Sequence, residues 1–162
     1  MASDFQLFKE DVAKDGAMVE TFCQALVDGN ADRIEQLFTE YLTKTISVRD
    51  TFVRKPVKEN FYHGILLGIL SYKGGWYVTS NRESGDGFSD IMVRIDDEDV
   101  GIIIEVKYAE NGKEEEMSRK ALLQIHEKHY EKVLLDEDIH KVMNYGIACN
   151  KKKCKVSMEI SE

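Results

Sequence analysis

The apolar positions in the first half of the chain recur at the three- and four-residue spacing of one helix face. Segments with this pattern lie at residues 5–12, 18–26 and 34–42. Asn30 stands where it would cap the start of the third segment. Pro56, the only proline, closes this region, and a fourth helix is predicted from about Lys58 to Leu70, ahead of Gly74-Gly75.

After Gly75 the pattern changes to short runs rich in Val, Ile and Tyr and separated by Gly and Asp, which is typical of β-strands. Five strands are predicted, at Trp76–Asn81, Ser89–Ile95, Val100–Lys107, Val142–Cys149 and Lys155–Ile160. The third is almost continuously apolar, so we expect it at the centre of a sheet with both faces covered. Between the third and fourth strands one long helix is predicted, from about Lys113 to Leu135. Its inward-facing candidates include Ala121, Leu122, Ile125, Tyr130 and Val133.

This order of elements, helices followed by β-β-β-α-β-β, predicts an α/β (α+β) fold in which a mixed sheet is flanked by helices. At 162 residues the chain fits one compact domain. Within it we predict a helical lead-in at residues 1–55, packed on a core at residues 56–162.

Composition narrows the class of protein only a little. The net charge of −8 argues mildly against a free-standing nucleic-acid binder, although a local basic patch is compatible with an acidic whole. No apolar run reaches the ~18 residues that a membrane span needs, and the N-terminus lacks a signal-peptide core. The odd number of cysteines, three, fits a reducing compartment. We therefore expect a cytoplasmic protein without a membrane partner.

The strongest chemical signal is a charged pair at the end of the most apolar strand. Glu105 and Lys107 are two positions apart, so their side chains leave the same face of one strand. Asp90, near the start of the preceding strand, would lie beside Glu105 if the two strands form a hairpin. Two carboxylates next to a lysine suit Mg²⁺ or Mn²⁺ and phosphodiester hydrolysis. The alternative is an ion pair between Glu105 and Lys107 at a sheet edge, with Asp90 as a strand cap.

Several of these segments together resemble one family. They are Gly87-Phe88-Ser89-Asp90, the strand end Ile103-Ile104-Glu105-Val106-Lys107, and the helix ALLQIHEKHY with Gln124 and Tyr130. They resemble the PD-(D/E)XK nuclease superfamily, in the form that follows an AAA-ATPase-like domain in many bacterial and archaeal proteins. The resemblance covers about residues 55–155, and residues 4–50 resemble that family's helical lead-in. It implies a restriction-endonuclease-like core.

The resemblance also implies roles for individual residues. Asp90 and Glu105 would be metal ligands, joined by the backbone carbonyl of Val106, and Lys107 would orient or activate the attacking water. Glu59 matches an additional acidic residue that could bind metal; otherwise it is a solvated carboxylate at a helix start. Gln124 matches a helix glutamine that reaches towards the site, against an exposed polar residue as the alternative.

A few other side chains have weaker claims. Tyr130 and His63 are interpreted as packing residues, His63 on a helix surface or in the core. Arg82 and Glu83 could meet a phosphate or a partner. The lysine run Lys151-Lys152-Lys153, with Lys155, could touch a nucleic-acid backbone, but a solvated turn is the simpler interpretation.

The sequence therefore supports two hypotheses of different classes. The first is a Mg²⁺- or Mn²⁺-dependent nuclease that cuts DNA with a metal-activated water. The second is a catalytically inactive nuclease fold that serves as a binding or regulatory module. For either one, the resemblance implies an AAA-ATPase-like partner domain, in the full-length protein or in trans, and a homodimer is possible.

Overall fold

The computed structural model describes residues 16–45, 55–82 and 89–162. The helices are α1 (Gly16–Asp28), α2 (Ala31–Thr45), α3 (Lys55–Ser71), α4 (Glu114–Glu127) and α5 (Tyr130–Asp136). The strands are β1 (Tyr77–Arg82), β2 (Ser89–Ile95), β3 (Val100–Tyr108), β4 (Lys141–Asn150) and β5 (Lys153–Ser161).

The five strands form one mixed sheet in the order β1-β2-β3-β4-β5. All neighbours are antiparallel except β3 and β4, which are parallel and are connected through α4 and α5. All nine residues of β3 are buried. The predicted central strand and the predicted α/β class are thus confirmed.

Alternate residues of β3 pack into two different hydrophobic clusters because successive side chains point to opposite faces. Ile102, Ile104 and Val106 join the larger cluster, which includes buried residues of α1, α2 and α3. Ile103 joins the smaller cluster, with Met92 of β2 and Ile125 of α4. The sheet is therefore covered by α1–α3 on one face and by α4 and α5 on the other.

Two helix predictions are corrected. Helix α3 begins at Lys55, so Pro56 lies inside its first turn, where the missing N–H of proline removes no helical hydrogen bond. The single helix predicted over 113–135 is two helices, because His129 adopts the left-handed conformation (φ 55°) between them. As a result, Val133 is about half exposed (49%) rather than inward-facing.

The cap predicted at Asn30 is confirmed, since its Oδ1 accepts a hydrogen bond from the N–H of Arg33 (3.1 Å). The helix predicted at residues 5–12 lies outside the described residues. The division into a lead-in and a core stays a prediction. In the part of the chain that the structure describes, no helix is both long and apolar enough to cross a membrane.

Candidate active site

Two acidic side chains face each other on neighbouring strands. Asp90 of β2 pairs directly with Glu105 of β3 in the antiparallel register, and residues opposite each other in this way share one face of the sheet. Each is about 1% exposed. Both lie on the α4 face, two positions from the smaller-cluster residues Met92 and Ile103.

The β2–β3 connection fixes this register. It is a short 3₁₀ turn, Asp96–Glu98, followed by Asp99 in the left-handed conformation. The carboxylate of Asp99 accepts a hydrogen bond from the backbone N–H of His140 (3.0 Å) and contacts Nδ1 of His140 at 2.6 Å. The turn is thereby held against the start of β4, and its length sets Asp90 opposite Glu105.

Lys107 lies two residues beyond Glu105, on the same face, and is also buried. Burial raises the pKa of Glu105 to about 8. The ammonium of Lys107 opposes that shift and the negative charge of Asp90 adds to it. The alternative of an ion pair at a sheet edge is wrong in its location, because β3 is the central strand.

Neither carboxylate oxygen of Glu105 has a hydrogen-bond partner among the described residues. A buried carboxylate in this condition is costly unless a cation satisfies its oxygens. No three Asp, Glu, His or Cys side chains of the described residues converge into a complete metal shell. Mg²⁺, however, is commonly held by one or two carboxylates, with waters and substrate phosphates as its other ligands. The pair Asp90 and Glu105 therefore fits a divalent cation.

Glu59 reaches the same end of β3 from α3. Its Oε1 accepts a hydrogen bond from the backbone N–H of Tyr108 (3.3 Å). The next N–H, of Ala109, bonds to Cys149 on β4, and successive N–H groups of a strand point to opposite sides. Glu59 therefore lies on the β2 side of β3, the side of Asp90. It is buried, so the alternative of a solvated carboxylate is wrong.

Helix α4 crosses the sheet beside the acidic pair at very close range. The neighbour of Glu105 on β4 is Gly146. A Cβ there would lie 2.1 Å from the backbone oxygen of Ser118 and 2.7 Å from the backbone nitrogen of Leu122. Gln124, on this helix, is half-buried, and its Oε1 is buried without a hydrogen-bond partner among the described residues.

Comparison with known families agrees with this arrangement. A family model described as the PD-(D/E)XK nuclease superfamily matches residues 57–159, which is more than half of the chain. The chain belongs to the PD-(D/E)XK nuclease superfamily. Its five-stranded mixed sheet with helices on both faces is consistent with a restriction-endonuclease-like core. No match was found among curated proteins.

In this PD-(D/E)XK domain the corner between α4 and α5 brings two further groups towards the acidic pair. Lys128 lies with its Nζ 5.8 Å from the ring centroid of Tyr130. Burial raises the pKa of Glu105, and the positive charge of Lys128, like that of Lys107, partly opposes this shift. Tyr130 packs against the smaller cluster, as expected, but burial and the charge of Asp90 also raise its pKa. Lys128 was not predicted from the sequence, because the helix break that brings it towards the site has no local sequence signal.

Of the weaker candidates in this PD-(D/E)XK domain, the structure describes the side chain of His63 but not those of Arg82 and Glu83. His63 is a core histidine, about 1% exposed, with its Nε2 2.6 Å from Oγ of Ser80. Arg82 ends β1, but its side chain, like Glu83 entirely, lies outside the described residues. The cross-strand neighbours Cys149 and Cys154 are buried free thiols.

Proposed function

We propose that this chain is a divalent-metal-dependent nuclease that hydrolyses phosphodiester bonds of DNA. The geometry of the buried acidic pair carries the proposal. Asp90 and Glu105 face each other in a buried position, and Lys107 is buried on the same face. The oxygens of Glu105 have no hydrogen-bond partner among the described residues. Membership of a nuclease superfamily supports it independently.

The carboxylates of Asp90 and Glu105 would hold Mg²⁺ or Mn²⁺, joined by the backbone carbonyl of Val106. Glu59 would contribute a third carboxylate, directly or through a water, from its position at the N–H of Tyr108. The bound cation supplies neutralisation of the charge that develops on the phosphate and acidifies the attacking water.

The side chain of Lys107 would position that water and steady the negative charge of the transition state. Its burial in a fixed strand favours this role, because a preorganised charge in a water-poor site acts more strongly than a mobile surface lysine. Gln124 would orient the phosphate or the water through its amide, whose oxygen has no hydrogen-bond partner among the described residues.

The second candidate is a catalytically inactive binding or regulatory module, working with an AAA-ATPase-like domain in the same protein or in trans. The net charge of −8 favours it, since most free-standing DNA-binding domains are basic. Against it stands the cost of burying two carboxylates and a lysine on the neighbouring strands β2 and β3, which a binding role alone does not offset.

Cleavage assays with single-stranded, duplex and branched DNA, in Mg²⁺ and in Mn²⁺, test the proposal. We expect Lys107→Met and Asp90→Asn to lower the cleavage rate by at least about 100-fold. Lys141→Met, at the opposite end of the sheet from Lys107, is the matched control and should cut like wild type. Circular dichroism verifies that all three variants fold.

Three results would count against the nuclease. Cleavage that survives in both site variants would indicate a contaminating enzyme. Absence of cleavage together with absence of Mn²⁺ binding by calorimetry would refute the metal site. Mn²⁺ binding that Asp90→Asn removes, without cleavage of any DNA, would favour the inactive module.

A further inference from the structure

The turn between β4 and β5 lies at the same end of the sheet as the candidate site. Because β3 and β4 are parallel and in register, with Tyr108 opposite Cys149, both strands end together. The two-residue turn that follows, Lys151-Lys152, is therefore next to the end of the strand that carries Glu105 and Lys107.

This turn concentrates positive charge in an acidic protein. Four of the chain's 22 basic residues fall within the five positions from Lys151 to Lys155, while the whole chain carries a net charge of −8. Lys155 lies near Glu35 (3.6 Å). The side chains of Lys151, Lys152 and Lys153 form no ion pair with any carboxylate in the part of the chain that the structure describes.

Hydrogen bonds connect the turn to α3 and to the end of β3. The hydroxyl of Tyr62, on α3, donates to the carbonyl of Lys151 (2.6 Å). The amide of Asn150, the last residue of β4, donates to the carbonyl of Ala109 (2.7 Å), directly after β3. A phosphate held by the turn would therefore keep a fixed distance from Lys107.

A further lysine, Lys58, lies on α3 one helical turn before Tyr62. The ammonium of Lys58 donates to the hydroxyl of Tyr108 (3.2 Å) and lies 4.5 Å from the centroid of that ring. The same hydroxyl accepts a hydrogen bond from Asn150 (3.3 Å). Lys58 is thus linked through Tyr108 and Asn150 to the lysine turn.

Folding alone does not favour lysine at this turn. Lys151 adopts the left-handed conformation (φ 52°), which Asn or Gly adopts at lower cost. Adjacent ammonium groups also repel one another. Among the described residues, Glu110, which follows Ala109 nearby, is an exposed carboxylate. The acidic first turn of α4, Glu114–Glu116, begins a helix that packs on the opposite face from α3.

We propose that Lys58, Lys151, Lys152 and Lys153 form a basic rim that binds the sugar–phosphate backbone of DNA on one side of the scissile phosphate. The inference rests on the proposed nuclease function and names the surface through which this acidic chain holds its polyanionic substrate. Binding of this kind releases counterions and is therefore strongly dependent on salt.

The test measures DNA binding separately from cleavage. Fluorescence anisotropy with a labelled duplex oligonucleotide, in Ca²⁺ and over a series of KCl concentrations, gives the slope of log K against log salt. The rim variant combines Lys151→Asn, Lys152→Ser and Lys153→Thr. We expect its slope to be less steep than that of wild type by about 2 to 3, and its affinity to fall by about 10-fold or more at 100 mM KCl.

A charge-matched control tests whether the change in salt dependence is specific to the rim lysines. It combines Lys120→Ser, Lys132→Ser and Lys141→Thr, which remove the same three charges elsewhere on the molecule. Its slope should stay within about 1 of the wild-type value. The rim variant should also melt no lower than wild type, because Asn suits the left-handed position that Lys151 occupies.

Different results would refute the basic rim and the proposed nuclease function. Equal effects of the two triple variants, or no change of slope in the rim variant, would overturn the rim while cleavage by wild type remained intact. Undetectable binding of DNA by wild type would overturn it too. Rim-dependent binding without cleavage in Mg²⁺ or Mn²⁺ would instead support the rim and refute the nuclease.

Discussion

At the scale of single residues, the buried carboxylate of Glu105 is the clearest example of a side chain that lowers the stability of the fold. Its carboxylate lies on the central strand of the sheet, about 1% exposed, and neither oxygen has a hydrogen-bond partner among the described residues. An apolar residue here would extend the smaller cluster around Ile103. A buried polar group of this kind costs about 1–3 kcal/mol, which is understandable if a ligand satisfies it.

We therefore expect Glu105→Gln to stabilise the metal-free protein while it abolishes cleavage. The folded-state pKa of Glu105 is raised to about 8, so folding near pH 7 requires uptake of a proton, a cost that a neutral amide removes. The free energy of unfolding should therefore rise by about 1–2 kcal/mol, measured by urea denaturation at pH 7 in EDTA. Glu98→Gln, an exposed glutamate of the β2–β3 turn, is the matched control and should change stability by less than about 0.5 kcal/mol. A loss of stability in Glu105→Gln would show that the carboxylate is a structural partner instead.

The acidic pair and its lysine were predictable from the sequence because strand periodicity alone puts Glu105 and Lys107 on one face. The hairpin register, which brings Asp90 opposite Glu105, then follows from one short turn. Lys128 was not predictable in this way. Its approach to the site depends on where the chain bends between α4 and α5, and that bend is set by tertiary packing.

At the scale of elements, Gly146 decides how closely α4 approaches the strand beside Glu105. We expect Gly146→Ala to destabilise the protein by about 3 kcal/mol or more, because its Cβ would overlap the backbone of Ser118. Gly64→Ala, in α3, has nothing within 4 Å of the added Cβ and should stabilise it by up to about 1 kcal/mol. Thermal unfolding of the two variants measures the contrast, and similar effects would contradict the close packing.

His126 joins three elements, since its ring nitrogens contact Glu131 of α5 (3.4 Å) and Glu159 of β5 (2.8 Å). Burial lowers the pKa of His126, but the hydrogen bonds to these glutamates outweigh it, and the net pKa is raised. A raised pKa in the folded state adds stability that is fully present below the unfolded value of about 6.5 and is lost as pH rises through the folded value.

The stability difference between wild type and His126→Gln should therefore be largest near pH 6 and shrink towards pH 8.5. Urea denaturation of both proteins across this range measures it, and taking the difference cancels the titration of other groups. A difference that is independent of pH would show that the imidazole acts only by packing and neutral hydrogen bonds.

The order and type of most elements were predictable, because hydrophobic periodicity is strong in α1–α3 and in the strands. The boundary between α4 and α5 was not. It contains neither Gly nor Pro, and the left-handed residue there is His129, so no local signal marks the break. The start of α3 was also predicted too late, near Lys58 instead of Lys55, because proline is tolerated inside a first helical turn and Pro56 lies there.

At the scale of the whole molecule, the sheet separates two hydrophobic clusters, and the acidic pair lies at the border of the smaller one. Asp90 and Glu105 belong to different strands, Glu59 reaches them from a helix on the opposite face, and Gln124 lies on the helix above. A cation held by these groups would therefore cross-link β2 and β3, and Glu59 would extend that link to α3.

Binding of a cation to the folded state alone should consequently stabilise the entire domain. At a Mn²⁺ concentration 100 times the dissociation constant, the free energy of unfolding should rise by about 2.7 kcal/mol. For a chain of this size that corresponds to an increase in Tm of roughly 5–10 °C. Differential scanning calorimetry in EDTA and in Mn²⁺ measures the increase, and Asp90→Asn should remove most of it.

Glu59→Gln separates the two roles that its position allows. If Glu59 is a metal ligand, the Mn²⁺-dependent increase in Tm falls in this variant. If Glu59 acts only as the acceptor for the N–H of Tyr108, the Mn²⁺ increment is unchanged, because the amide oxygen of Gln still accepts that hydrogen bond. An increment that survives in Asp90→Asn as well would mean that the cation binds elsewhere, and the cross-link between β2 and β3 would then be wrong.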